Sequence, residues 1–391
     1  MSAIPKILLL IESSRTCERD FLRGIAHYAH LHSPWAFFQK PKFYLRSKQS
    51  TISISQIKDF NPDGIIVSDT EDLDQIRKLN KPTIIHTFKK NAYPLPCVLG
   101  DVEETGRMGA EYLLGLGYKH FAYCGIGDYY WSLGRYDSFQ KTIQQAGFSA
   151  SYFKLNPKRI KCAHAKELQN LADWLIRLPK PLGLMTCADD CSQHIMEACK
   201  LSDIHVPEQV GVLGVDNDDM ICDLSNPPLS SIALNFKTAG YQTAELLNDL
   251  MSGTRANDRS VIVRPSHIEM RASTDIFAVE DTDVASALKY IRENSNKLIQ
   301  VADVVNAVTC SQRTLHNKFL KMIGHSVHAE IKKARVERIA KMLRETDLSV
   351  SQIAHKLGYF NTNHVSRYFY QQKGIKPLAY RKKAGKTVHS P

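Results

Sequence analysis

Between residue 5 and about residue 275 the chain alternates short apolar runs with longer stretches in which apolar positions recur every three or four residues. Ile7–Ile11, Gly64–Val67, Thr83–His86, Cys97–Gly100, Phe121–Cys124, Gly183–Cys187 and Val210–Val215 have the length and continuity of buried strands. Between them, Phe21–Ala29, Leu73–Leu79, Glu103–Leu116, Tyr136–Ala146, Ala165–Arg177, Gln193–Lys200 and Lys237–Met251 have helical spacing. This order predicts an α/β fold with parallel sheets covered by helices. Some 270 residues exceed what one sheet comfortably holds, so two lobes with a cleft between them are expected.

In open α/β sheets, ligands sit beyond the carboxyl ends of the strands. Polar residues fall at four such ends: Ser13, Ser14 and Arg15; Ser68 and Asp69; Asp189 and Asp190; Asp216 and Asn217. Carboxylates and amides suit the hydroxyls of a sugar. Any one of these residues alone is equally well read as a helix cap; four ends together favour a polar ligand site.

The pattern changes after residue 275. Residues 276–283 read as a linker, with Asp283 placed to cap a helix carrying Val284, Leu288 and Ile291 on one face. Beyond it lies an internal repeat. Ser311, Leu315, Phe319 and Gly324 recur 50 residues on as Asn361, Val365, Phe369 and Gly374, while Val304 and Val308 recur 49 on as Ile353 and Leu357. Each copy predicts a helix, a tight turn and a second helix: Val301–Val308 with Ser311–Met322, and Ser351–Leu357 with Asn361–Lys373. Ser349 and Gln352 have capping-box spacing, and an apolar stripe of Val327, Ile331, Ile339 and Leu343 predicts a long helix joining the copies.

Charge sharpens this division. Residues 284–391 hold 20 Lys and Arg against 6 Asp and Glu, whereas the rest holds 31 against 34. The net +11 therefore resides entirely in the C-terminal quarter, which points to a polyanionic partner there. On the second helices, Ser311, Gln312, Arg313, His316 and Asn317 in one copy, and Asn361, Thr362, Asn363, His364 and Arg367 in the other, are the candidates to face DNA; Arg can read guanine and Asn adenine in the major groove. Lys318, Lys321, Lys332, Lys333, Arg381, Lys382 and Lys383 are expected on phosphates.

The nine cysteines include no CxxC pair and read as reduced thiols; Cys187, Cys191 and His194 are expected to be buried structural residues rather than metal ligands. The apolar pentapeptide at residue 7 is too short for a signal segment, and no stretch approaches the ~20 apolar residues of a membrane span. A phosphate-loop GxxxxGK, a GxSxG elbow, an HExxH helix and a GxGxxG turn are all absent, so no catalytic residue, cofactor or metal is assigned.

Region 284–383 resembles the AraC-type DNA-binding domain. Gly374-Ile375-Lys376-Pro377-Leu378-Ala379-Tyr380-Arg381 matches its closing G-x-x-P-x-x-Y-R, and Arg335, Ile353-Ala354, Leu357-Gly358-Tyr359 and Phe369 also match. The first 275 residues resemble the LacI/GalR-type sensor, a periplasmic-binding-protein fold, at Asp63-Gly64-Ile65-Ile66, Leu213-Gly214-Val215-Asp216-Asn217 and Lys237-Thr238-Ala239-Gly240-Tyr241. The resemblance implies that Arg135, in Trp131-Ser132-Leu133-Gly134-Arg135, and Asp216 contact a sugar, with Asp189 as a further cleft aspartate; Leu234 stands where many relatives have Gln.

The expectation is thus a two-lobed sensor over residues 1–275, a linker at 276–283, an all-α double helix-turn-helix domain at 284–385 and a tail at 386–391. Arg15, Asp69, Arg135, Asp189, Asp216 and Asn217 are its ligand residues. The layout implies a cytoplasmic transcription activator that binds double-stranded DNA, answers to a monosaccharide with D-xylose foremost, contacts RNA polymerase and forms a homodimer, with no membrane partner. Three alternatives remain: a repressor, or a regulator of a different monosaccharide operon; an enzyme acting on sugar or nucleic acid; and a ligand-independent DNA-binding protein.

Overall fold

The computed structural model describes residues 4–32, 34–39, 54–69, 73–87, 95–253, 259–275, 281–359 and 362–383; of residues 54, 55, 345, 362–364 and 383 only the backbone is described. In the first lobe, β1 (Lys6–Leu10) leads into α1 (Thr16–His32) and β2 (Ala36–Gln39). α2 (Ile54–Phe60), β3 (Gly64–Ser68), α3 (Leu73–Arg77), β4 (Thr83–His86) and β5 (Cys97–Gly100) follow. The chain then crosses to the second lobe: α4 (Val102–Gly115), β6 (His120–Ile126), α5 (Tyr130–Gln145), β7 (Ala150–Leu155), α6 (Pro157–Cys162), α7 (His164–Arg177), β8 (Leu182–Thr186), α8 (Asp189–Leu201), β9 (Val210–Val215), α9 (Asp219–Leu224) and β10 (Ser230–Leu234). It returns to the first lobe for α10 (Phe236–Met251) and β11 (Val261–Val263), and comes back to the second for β12 (Pro265–Glu269).

Each lobe holds a six-stranded sheet, in order β11-β5-β4-β3-β1-β2 and β12-β10-β9-β8-β6-β7. All pairings are parallel except β10 with β12. The expected apolar runs are the central strands: Ile7, Leu8, Ile65, Ile66, Ile84, Leu184, Val212 and Val215 are fully buried. In the first lobe α1 and α10 pack with their backbones in contact. A Cβ at Gly24 would lie 2.0 Å from the Lys237 carbonyl oxygen and one at Gly240 2.0 Å from that of Phe21, so only glycine permits this crossing.

Three strands cross between the lobes side by side. Asp101 N–H donates to the Val263 carbonyl at 2.8 Å, and Asn235 N–H to that of Arg264 at 2.9 Å. Asp101 and Asn235 are also the N-caps of α4 and α10, so each helix starts at the hinge.

The C-terminal part is all helical: α11 (Thr282–Glu293), α12 (Val301–Asn306), α13 (Gln312–Ile323), α14 (Val327–Glu345), α15 (Val350–Lys356), α16 (Thr362–Lys373) and α17 (Pro377–Lys383). It has two separate cores. Val327 and Ile331, early in α14, pack with Leu315, Phe319, Val304 and the α11 face of Val284, Leu288 and Ile291. Val336, Ile339 and Leu343, later in the same helix, pack with Ile353, Leu357, Val365 and Phe369. The apolar stripe of α14 is thus shared between two units. Gly324 closes α13 at φ +81°, donating its N–H to Phe319 O, a left-handed conformation that favours glycine. Ser349 and Gln352 form the expected capping box on α15.

One cap differs from expectation. Asp281, not Asp283, caps α11, accepting from the N–H groups of Asp283 and Val284. The Asp283 carboxylate instead accepts from Thr309, 2.6 Å from its hydroxyl, tying α11 to the first helix-turn-helix. Of the expected linker, residues 276–280 lie outside the described residues, as does the tail at 386–391.

Candidate ligand cleft and DNA-binding surface

The cleft is built from strand ends. Arg15 follows β1 and reaches across to the second lobe, its Nη2 lying 2.8 Å from both Asp216 Oδ2 and Asp190 Oδ2. Arg135, on α5, is buried; its Nη1 donates to the Cys187 carbonyl and its guanidinium lies 5.4 Å from the Trp131 ring centroid. Its Nη2 is 3.8 Å from Asp216 Oδ1. Two cations from different lobes therefore converge on one carboxylate.

The loop carrying that carboxylate has unusual backbone. Asp216 has φ +105° and Asn217 φ +50°, conformations that cost a non-glycine residue roughly 1–3 kcal/mol and persist only where the surroundings impose them. Here Asp216 N–H donates to Ile232 O at 3.0 Å and Asn217 N–H to Ser231 Oγ at 3.0 Å. The Asn217 side-chain oxygen accepts from Arg271 at 2.9 Å. Burial raises the Asp216 pKa, against the lowering effect of Arg15 and Arg135.

Asp189 is placed behind the cleft rather than in its wall. It is fully buried, and its oxygens accept from the Ser231 hydroxyl at 2.6 Å and the Asp218 N–H at 2.8 Å. Burial, with the Asp216 charge nearby, pushes its pKa up to about 8. Asp69, at the end of β3, is held within the first lobe, accepting from the Thr87 hydroxyl at 2.7 Å. Beside it, burial lowers the His86 pKa to about 4.

The two carboxylates that follow Asp216 at short range, Asp218 and Asp219, are both held by the start of α1. Asp218 is buried; it caps α9 and accepts from Thr16 N–H at 2.9 Å, while Asp219 accepts from the Thr16 hydroxyl at 2.8 Å. The start of α1 is thus bonded directly to the second lobe. No local pattern announces these contacts, which join residues about 200 positions apart.

Among the described residues one group has the composition of a metal site: His164, His194 and Glu197, on α7 and α8, have ligand atoms within 4.8 Å of one another. Cys187 and Cys191 are buried, with their sulfurs 3.3 Å apart.

On the helical domain, Gln312, Arg313, His316 and Asn317 are exposed on α13 while Leu315 and Phe319 are buried. Ser311 caps the helix, accepting from Thr314 N–H at 3.2 Å. In the second unit Arg367 is exposed on α16. Asn361 lies outside the described residues, and Thr362, Asn363 and His364 are placed by backbone alone in the first turn of α16.

Two expected phosphate contacts prove to be structural. Arg381 is buried, donating to the Leu343 carbonyl at 3.1 Å and to that of Leu348, so it secures the C-terminal end of α14. Lys318 pairs with Asp281 at 2.7 Å and Asp283 at 2.8 Å. Net charge counted along a sequence does not distinguish a lysine facing DNA from one folded back onto a carboxylate.

Sensor and helical domain also touch. Glu269, on β12, receives Lys341 of α14 at 2.6 Å and Arg344 at 3.4 Å, and Arg344 also donates to the Tyr380 hydroxyl at 2.9 Å.

Residues 110–274 match the periplasmic binding protein-like domain and residues 304–383 a helix-turn-helix domain. Similarity also runs along the whole chain. It is 27% identical to the xylose operon regulatory protein of Haemophilus influenzae, over 96% of this chain and 98% of the relative. Identity to the protein of that name from Escherichia coli K12 is likewise 27%, over 96% of each. The chain is a transcription regulator. It joins a periplasmic binding protein-like domain to a helix-turn-helix domain, and the proteins it matches along its whole length are regulators, not enzymes. The fold of the regulator is also that of a solved xylose-binding transcription activator, with a TM-score of 0.62 at 24% identity over 97% of this chain and 98% of the other. Among the described residues of the regulator, no helix is long and apolar enough to cross a membrane.

Proposed function

We propose that this regulator activates a pentose-utilisation operon in response to D-xylose, bound between the two lobes of residues 1–275. The observation that carries the ligand site is the convergence of Arg15, Arg135 and Asp216 from both lobes. A sugar diol can donate to the carboxylate and accept from the guanidinium groups, exchanging a direct protein pair for charge-assisted bonds to the ligand. Asn217 continues the same wall, and Asp189 supports it by fixing the loop at Asp218. Asp69 faces the sugar from the first lobe in this reading. The relatives' names favour xylose over other monosaccharides.

Because Arg15 and Thr16 already bond to the second lobe, ligand binding shifts an existing equilibrium of lobe positions rather than creating a new state. Residues 276–283 link the sensor to the DNA-binding domain at 284–385, which reads an operator through Arg313, His316, Asn317 and Arg367, with the first turn of α16 alongside. The active form is a cytoplasmic homodimer that contacts RNA polymerase.

Calorimetric titration with D-xylose, then with other pentoses and hexoses, tests the reading. Saturable heat with D-xylose supports it. Heat with a different sugar moves the pathway and keeps the cleft. Silence across the panel overturns the sugar response.

A further inference from the structure

A pocket of about 170 Å³ lies at the junction of the two helix-turn-helix units. Its walls include Ile299 and the Gln300 amide of the first unit, His328, Lys332 and Arg335 of α14, and Tyr359 and Tyr368 of the second unit. Tyr359 Oη, Tyr368 Oη and Arg335 Nε are all buried with no hydrogen-bond partner among the described residues. All three can donate. Buried polar groups in folded proteins are nearly always satisfied, so each of these calls for an acceptor from outside the fold.

The surroundings define that acceptor. Arg335 is fixed in place, because its Nη2 donates to the Ile299 carbonyl at 2.6 Å. The Lys332 ammonium lies 5.9 Å from the Tyr368 ring centroid. No carboxylate lines the pocket. Burial raises the Tyr368 pKa, so its hydroxyl keeps its proton and remains a donor. Three unpartnered donors, two cations with no carboxylate beside them in the lining, and space for several waters at ~30 Å³ each suit a compact oxyanion.

We propose that this pocket binds an oxyanion of the phosphate class, held by the Tyr359 and Tyr368 hydroxyls and the Arg335 and Lys332 cations. Since the walls come from both units and from the helix between them, the occupant fixes how one unit sits against the other. Free phosphate and a phosphodiester of bound DNA share this chemistry, and the proposal does not depend on the sugar reading.

The test uses the full chain and its Tyr359→Phe and Tyr368→Phe variants. Each substitution removes an unpartnered hydroxyl, so both variants fold at least as stably as the parent in chloride. Thermal denaturation is followed against inorganic phosphate at constant ionic strength, and binding to random-sequence duplex DNA by fluorescence anisotropy. Saturable stabilisation of the parent, with the apparent phosphate Kd weakened roughly tenfold or more in Tyr368→Phe, supports a free-anion site. If phosphate is without effect but both variants bind duplex DNA more weakly, the oxyanion is a backbone phosphate. If both variants match the parent in both assays, the pocket holds only water and the proposal is overturned.

Discussion

The Arg15 guanidinium of the first lobe and the Asp216 carboxylate of the second meet at 2.8 Å across the cleft. They stand 201 residues apart in sequence, and Asp216 is nearly inaccessible to solvent. In the proposed site this pair makes Asp216 the residue on which ligand binding is expected to depend most. Asp216→Ala is expected to weaken D-xylose binding roughly ten- to a hundredfold, the loss of a hydrogen bond to a charged group. Calorimetry on the variant, with circular dichroism to establish its fold, checks this. A folded variant with unchanged affinity would place the ligand elsewhere.

Asp189 gives a pH dependence. Its pKa is raised from 3.8 to about 8 in the folded chain, so the folded state holds a proton that the unfolded state releases. Its contribution to stability is therefore full below pH 3.8 and is lost as pH rises to about 8. Asp189→Asn cannot ionise; its one amide oxygen accepts from the Asp218 N–H, and its NH2 donates to the Ser231 oxygen once that hydroxyl turns away. The melting temperature of the parent is expected to fall relative to Asp189→Asn across that window. Parallel curves for the two proteins would sink the assignment.

Glu269 holds the DNA-binding domain against the sensor. Burial works to raise its pKa, but His267, Lys341 and Arg344 override this and hold it at about 2. The contact is thus at full strength above pH 4.5 and is lost as pH falls through about 2. Near neutral pH, Glu269→Ala leaves Lys341 and Arg344 without their carboxylate, costing about 1–3 kcal/mol of docking. Faster amide hydrogen exchange in α14 and in β12 is expected. Protection identical to the parent's would mean that the two domains do not depend on this contact.

The two arginines Arg367 and Arg381 separate recognition from stability. Arg367→Ala should weaken a specific operator by about 1–3 kcal/mol and leave the melting temperature within a degree or so of the parent's. Arg381→Ala leaves the Leu343 and Leu348 carbonyls without their donor and should destabilise the domain by about 2–4 kcal/mol. Equal loss on operator and random DNA for Arg367→Ala would make it a phosphate contact. A fully stable Arg381→Ala with impaired DNA binding would reverse its role.

The central strands and the duplicated helix-turn-helix were legible because each is periodic over many residues: Ile7–Ile11 is apolar throughout, and Leu315 and Phe319 have counterparts 50 residues on. The edge strands β2, β7, β11 and β12 and the strand β10 were not. β11 has three residues, and β12, Pro-Ser-His-Ile-Glu, has no apolar run. Their order is set by the crossings at Asp101, Asn235 and Arg264, which are long-range events. The same limit applies at the cleft. Residues at strand ends could be picked out, but that Asp189 turns inward to Ser231 while Arg15 reaches Asp216 depends on packing between distant segments. Asp283 shows the limit at short range: two aspartates two residues apart could each cap α11, and the pull of Thr309 decides between them.

The most direct test of the account measures the affinity of the full chain for an operator fragment, selected from random DNA, with and without saturating D-xylose. If the Arg15–Asp216 cleft controls the helix-turn-helix domain, D-xylose changes operator affinity at least several-fold in the parent, operator DNA changes D-xylose affinity by the same factor, and Asp216→Ala abolishes both effects. Operator affinity that is identical with and without a sugar shown to bind would contradict the claim that the cleft governs DNA binding.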